Sequence, residues 1–184
     1  MEKTKIDRRI LKSQAAIKTS FIELLTENTF DKITVKDLCE GANIGNRTFY
    51  LHYMDKFDLL DKLIEEHLED LKEICLQKKS LSIVEGSRIW FGYFQQNREF
   101  FSTLFNGNAT NSFRSQLLTI ITTDIGSKID HEKIQRNGLT DDVYLRFLGM
   151  AIIGVIEMYL EDAENTDINS LADQVGKLVE HNLS

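Results

Sequence analysis

Residues 143–160, VYLRFLGMAIIGVIEMYL, are apolar on nearly every side. A helix of that composition must bury all its faces, whatever the rest of the chain does. Its 18 positions reach the length of a short membrane span. Arg146 and Glu157 lie inside the run, and charge in a hydrocarbon core is costly. The segment therefore reads as a buried helix of a soluble protein, with no membrane as partner. One face can meet the chain's own core, and the other needs a second chain. Gly149, Ala151 and Gly154 would let a neighbouring helix come close. The expectation is a two-fold homodimer, with this helix and the last one forming a four-helix interface around Gly149, Ile153, Gly154 and Ile156.

The 184 residues contain no proline, which fits a chain made mostly of helices. Ile10, Ile17, Phe21, Leu24 and Leu25 share one face of a first helix over about 7–27. It stops at Asn28, a residue that tolerates the left-handed conformation. A second, short helix starts at Thr34, with Asp37 completing a capping box and Ile33 and Leu38 forming a hydrophobic staple. Gly41, Asn43 and Gly45 interrupt it, and a third helix covers about 45–52. The fourth repeats the starting device, with Asp55 as cap, Asp58 at the third position and Met54 and Leu59 as staple. Its stripe from Leu59 to Cys75 carries it to about residue 78. Helices follow over 83–97, 98–105 and 110–125, then a polar loop over 126–140, the apolar helix over 141–162 and an amphipathic helix over 168–182. No alternating strand pattern appears, so the predicted fold class is all-α.

Charge is divided unevenly. Residues 1–56 hold ten Lys and Arg against eight Asp and Glu, a net of +2, while residues 57–184 carry −9 of the total of −7. The N-terminus has no apolar core of a secretory signal, and Cys39 and Cys75 read as buried small hydrophobes rather than a disulfide framework. A cytoplasmic location is the expectation. His52, His67, His131 and His181 show no metal-ligand spacing. No nucleophile–base arrangement or phosphate-cradling loop is present either. Neither an enzyme nor a cofactor is expected.

The segment NIGNRTFYLHYM, residues 43–54, has no carboxylate. Two short helices joined by a tight turn beside a longer one describe a helix-turn-helix, whose second helix must be slim and polar to enter a major groove. Asn46, Arg47 and Thr48 stand at the start of that helix. Arginine can pair bidentately with guanine and asparagine with adenine. A basic arm, Lys3, Lys5, Arg8 and Arg9, precedes the first helix.

The stretch ITVKDLCEGANIGNRTFYLHYMDKFDLL resembles the DNA-binding signature of the TetR family of bacterial transcription regulators, over about residues 10–65. Thr48-Phe49-Tyr50, His52-Tyr53, Lys56 and Leu59-Leu60 occupy the signature's places, with Cys39 where alanine is usual and Asn43 where the turn glycine is usual. The resemblance implies that Gly45, Asn46, Arg47 and Thr48 read bases, that Tyr50 and Lys56 clamp phosphates, and that Phe49 and Tyr53 pack the small domain. Thr34, Lys36 and His52 join the expected double-stranded DNA contacts. The segments YFQQNREFFSTLF, SFRSQLLTII and YLRFLGMAIIGVIEMYLED resemble a C-terminal domain type frequent in Firmicutes members.

The expected organisation is a DNA-binding domain over 1–54, a connecting helix over 55–78, and an effector-binding and dimerisation domain over 79–184. Family likeness implies a small-molecule effector pocket among the central helices, for which Trp90, Phe94, Phe105, Phe113 and Met150 are the candidates. The expected function is a dimeric regulator, a repressor, on a palindromic operator. An activator or co-regulator controlled by a protein partner, or a helical dimerisation adaptor that does not bind DNA, are the alternatives.

Overall fold

The structure is a computed structural model and describes residues 8–77, 81–106, 110–136 and 138–183. Every regular element among them is helical. The chain divides into two compact units, Met1–Glu65 and Glu66–Ser184, and the division falls inside one helix, Lys56–Gln77.

The N-terminal unit is built from α1 (Arg8–Glu27), a 3-10 turn (Phe30–Lys32), α2 (Val35–Gly41), α3 (Asn46–Tyr50) and the first part of α4 (Lys56–Gln77). Arg8 and Arg9 of the predicted arm open α1, and Lys3 and Lys5 lie outside the described residues. Ile17, Phe21, Leu38, Phe49 and Leu59 are fully buried and form its core. Full burial of each such side chain contributes about 1.5–3 kcal/mol.

Three local expectations hold in full, the stop at Asn28 holds in place but not in conformation, and one does not hold. Thr34 caps α2 in a complete capping box with Asp37. Asn43 adopts φ 52°. Asp55 caps α4 through its Oδ1, which accepts from the Phe57 and Asp58 amides at 2.8 and 2.9 Å. Met54, however, is 79% exposed, so it makes no staple with buried Leu59. The Met54 amide instead donates to Asp58 Oδ2 at 2.9 Å, and this reciprocal bond orders the entry to α4. Asn28 ends α1 without a positive φ, its amide continuing the ladder to Leu24 O at 2.9 Å.

The C-terminal unit holds the rest of α4, then α5 (Ile83–Gln96), α6 (Arg98–Asn106), α7 (Thr110–Gly126), α8 (His131–Arg136), α9 (Asp141–Glu161) and α10 (Ile168–Leu183). α8 occupies part of the predicted loop; six residues with little apolar periodicity give no helical signal. α5 packs closely on α10, where a Cβ at Gly176 would overlap the Val84 backbone. Arg88 Nε and NH2 add a two-pronged grip on Asp173, at 2.5 and 2.8 Å. α9 lies on α7, with Gly149 seated against Leu118 and Thr122.

This packing corrects the predicted interface. Gly149, Ile153 and Ile156 are buried inside the protomer, and only Gly154 of the four faces outward. The outward stripe of α9 is instead Val143, Phe147, Met150, Ala151, Gly154 and Met158, at spacings of 3, 4 and 1 that keep one helical face. Phe147 is 69% exposed. By length and composition α9 could cross a membrane, but its Glu157 pairs with Arg114 of α7 inside the unit.

Candidate nucleic-acid interface

Three bonds between Thr34 and Asp37 fix the start of α2. Thr34 Oγ1 accepts from the Asp37 amide at 3.2 Å, and Asp37 Oδ2 accepts from the Thr34 amide at 2.9 Å and its hydroxyl at 2.7 Å. These bonds, the side-chain one first, hold the Asp37 carboxyl below its ordinary pKa. Lys36 projects beside it, with a distant partner in Glu40 at 3.7 Å.

α2 ends in a Schellman turn. The Ile44 amide donates to Cys39 O at 3.0 Å and the Asn43 amide to Glu40 O at 3.1 Å, which requires the left-handed Asn43. The turn delivers Gly45 as the residue before α3, with its own carbonyl accepting from the Thr48 amide at 2.8 Å. A Cβ at Gly45 would meet nothing within 4 Å, so the position faces open space.

α3 is anchored by Phe49, fully buried, with the Tyr53 ring centroid 5.6 Å away. That leaves Asn46 and Arg47 exposed on the opposite side, Thr48 half-buried and Tyr50 57% exposed. The two carboxylates that follow, Asp55 and Asp58, are committed to helix capping and to Lys62, whose Nζ sits 3.0 Å from Asp58 Oδ2. The exposed face of α3 thus presents an amide, a guanidinium and a phenol. Such a surface can hydrogen-bond base edges and phosphates.

Two expected contacts are tied elsewhere. His52 is half-buried with Nε2 2.6 Å from Ser13 Oγ, so it ties the turn after α3 to α1. Lys56 does not extend into solvent as a phosphate clamp. Its Nζ donates to the carbonyls of Phe30, Asp31 and Ile33 at 3.0, 3.0 and 2.8 Å, using all three N–H bonds of the ammonium. Sequence spacing could not show this, because the acceptors lie 23 to 26 residues away. Leu51 and Met54, exposed beside α3, were not among the expected contacts.

The predicted effector residues differ in their surroundings. Phe94 and Phe113 are fully buried and make ring contacts with Phe101 at 4.5 and 5.8 Å, as core. Phe105 packs edge-on to Phe113, and Met150 is 47% exposed on the outer stripe. Trp90 borders a cavity among the described residues. That cavity, of about 50 Å³, is walled by Phe91, Ile121, Ile125, Val175 and Val179, with an Asp124–Lys128 ion pair at 3.0 Å in its lining. Nearby, the Tyr93 hydroxyl lies 2.6 Å from His67 Nδ1 and donates to Asp70 Oδ2 at 2.8 Å. Burial first and Asp70 second push the Tyr93 pKa up.

A helix-turn-helix unit followed by an all-helical unit with an outward apolar stripe is the architecture of a one-chain transcription regulator. Comparison with known proteins agrees. Residues 82–181 match the TetR_C_8 family model, described as a transcriptional regulator C-terminal region. YxbF of Bacillus subtilis strain 168, described as an uncharacterized HTH-type transcriptional regulator, is 35% identical over 67 residues. That match covers 36% of this chain and only 18% of the length of YxbF. A TetR transcriptional regulator from Streptococcus agalactiae 2603V superposes with TM-score 0.69 at 28% identity, over 94% of this chain and 96% of that one. The regulator FadR from Bacillus subtilis, solved with stearoyl-CoA, shares the fold with TM-score 0.67 at 17% identity, over 92% of this chain and 98% of that one. The chain belongs to the TetR family of transcriptional regulators.

Proposed function

We propose that the chain is a DNA-binding repressor that sits as a two-fold dimer on a palindromic operator and is released by a small-molecule effector in the cytoplasm. The observation that carries the DNA reading is the α3 face. Asn46 and Arg47 are exposed, no side-chain hydrogen bond holds either among the described residues, and no carboxylate occurs from 43 to 54. Thr34, Lys36, Gly45, Thr48 and Tyr50 flank that face on α2 and α3 as further contacts. The apolar stripe of α9 supports the dimer, since an exposed Phe147 between Val143 and Met150 is a poor surface to leave in water. The two-fold partner is a second copy, because an isologous interface places two reading heads on the two halves of a palindrome. The effector part of the reading rests on family likeness, with the small cavity beside Trp90 as a starting point for a pocket in the C-terminal unit.

A salt titration of binding to random-sequence and genomic duplexes tests the reading. Affinity must fall steeply as salt rises, since phosphate contacts release counterions. Binding that is absent, or indifferent to salt, would refute it and favour the non-DNA adaptor.

A further inference from the structure

We propose that Lys56 is a positioning residue for the DNA face: it grips the 3-10 turn from below and thereby sets where α2 begins. The inference rests on the DNA-binding reading above, but its geometry is independent of any DNA. Lys56 is the first residue of α4. Its ammonium receives three backbone carbonyls, from Phe30, Asp31 and Ile33. Of these, the Phe30 carbonyl also accepts from the Ile33 amide at 3.2 Å, while the Asp31 and Ile33 carbonyls stand at the end of the turn, where helical bonding leaves acceptors over and a cation is favoured. The Nζ also stands 4.7 Å from the Phe30 ring centroid and 5.5 Å from that of Phe57. Phe30 in turn meets Phe57 at 5.3 Å and Phe21 at 6.0 Å, both edge-on. The first turn of α4 therefore holds the turn by a cation at three carbonyls and by a ring beside it.

The grip acts on the DNA face through one peptide. Ile33, the third acceptor, immediately precedes Thr34, the cap of α2, and the Ile33 side chain is buried. Fixing the Ile33 carbonyl fixes the plane of the peptide that enters the capping box, and with it the direction in which Thr34 and Lys36 project. A lysine is required because three donors must diverge from a single atom. A guanidinium spreads its donors over a plane and cannot converge on these acceptors.

Lys56→Arg separates this role from a phosphate clamp, because it keeps the charge and removes the tripod. Three measurements decide. In the DNA-free protein, hydrogen exchange at the Lys32, Ile33 and Asp37 amides should speed up about tenfold or more, the factor one charge-assisted hydrogen bond represents, while exchange in α10 stays as it was. Affinity for random-sequence duplex DNA at fixed salt should fall by about tenfold. The same substitution made in a Thr34→Ala, Lys36→Ala background should cost clearly less, because the residues it positions are gone. Lys56→Met is the second variant and should match Lys56→Arg in exchange. Unchanged exchange in both variants overturns the grip. Wild-type affinity for Lys56→Arg, or an equal loss in both backgrounds, overturns the positioning role. Wild-type protein that ignores DNA overturns the parent reading, a result seen before any variant is made.

Discussion

The Oγ of Ser20 on α1 occupies the space that a side chain at Gly41 on α2 would need, and the same Oγ donates to Leu38 O at 3.2 Å. The serine hydroxyl and the missing Cβ together let the two helices approach. Ser20 is the buried polar side chain of this unit, and its bond to a helical carbonyl removes the cost of burying it. Gly41→Ala should destabilise the N-terminal unit by about 1–3 kcal/mol, the usual range for forcing atoms into a packed contact. Ser20→Ala in the same chain should restore part of that loss. Thermal unfolding of the single and double variants checks it, and an additive double variant would contradict the shared-space account.

Stability should decline on acidification. Hydrogen bonds hold several carboxyls below their ordinary pKa: Asp37 by Thr34, Asp58 by the Met54 amide, Glu85 by Ser82 and Asp173 by Arg88. Each folded value is depressed, so each contribution is complete above the unfolded values, near 3.8 for Asp and 4.5 for Glu, and is lost as pH falls through the folded ones. Urea unfolding across the range from neutral into this acid window should show the decline. Glu85→Gln keeps the cap geometry without the titration, so its decline should be shallower than that of the wild-type chain.

Phe147→Glu should yield a folded monomer. The residue stands in the middle of the α9 stripe and is mostly exposed, so the helix content should stay constant. A buried aromatic anchor at an interface contributes about 2 kcal/mol or more, enough to weaken a dimer at least thirtyfold. Sedimentation at micromolar concentration reads the change. Ile153→Ala is the contrast: Ile153 is 1% exposed inside the protomer, so its loss should lower the melting temperature before it alters association.

Arg47→Ala should relax base preference at one position of a selected half-site by about 1–3 kcal/mol while binding to random DNA falls little. Selection from a random library, repeated with the variant, locates that position. An unaltered consensus would show that Arg47 does not read a base.

The helix caps were legible because they are local. Thr34 with Asp37 and Asp55 with Asp58 each lie within four residues of one another, and each pair forms bonds across the start of a helix; Ser82 with Glu85 makes the same box at α5, which was not among the expected caps. The turn at Asn43 was legible for the same reason, since few residues other than glycine accept φ 52°. The orientation of α9 was not legible. Where nearly every position is apolar, hydrophobicity cannot distinguish Gly149, pressed against Leu118, from Gly154, which faces outward. The role of Lys56 was hidden for another reason: it depends on three carbonyls, and carbonyls are the same in every residue. Of the effector candidates, Phe94 and Phe113 pack against Phe101, and composition alone cannot separate an aromatic ring that fills the core from one that borders a cavity, as Trp90 does.

The helices from α1 to α10 run from end to end without an imino acid, because the chain contains none. Every peptide bond of the unfolded chain therefore starts in the trans form almost without exception. No fraction of molecules waits tens of seconds for a bond to isomerise before folding can finish. Refolding after dilution from urea should proceed without that slow phase, and a prolyl isomerase should leave its rate untouched. Newly synthesised molecules would then reach the native state on the timescale of helix packing.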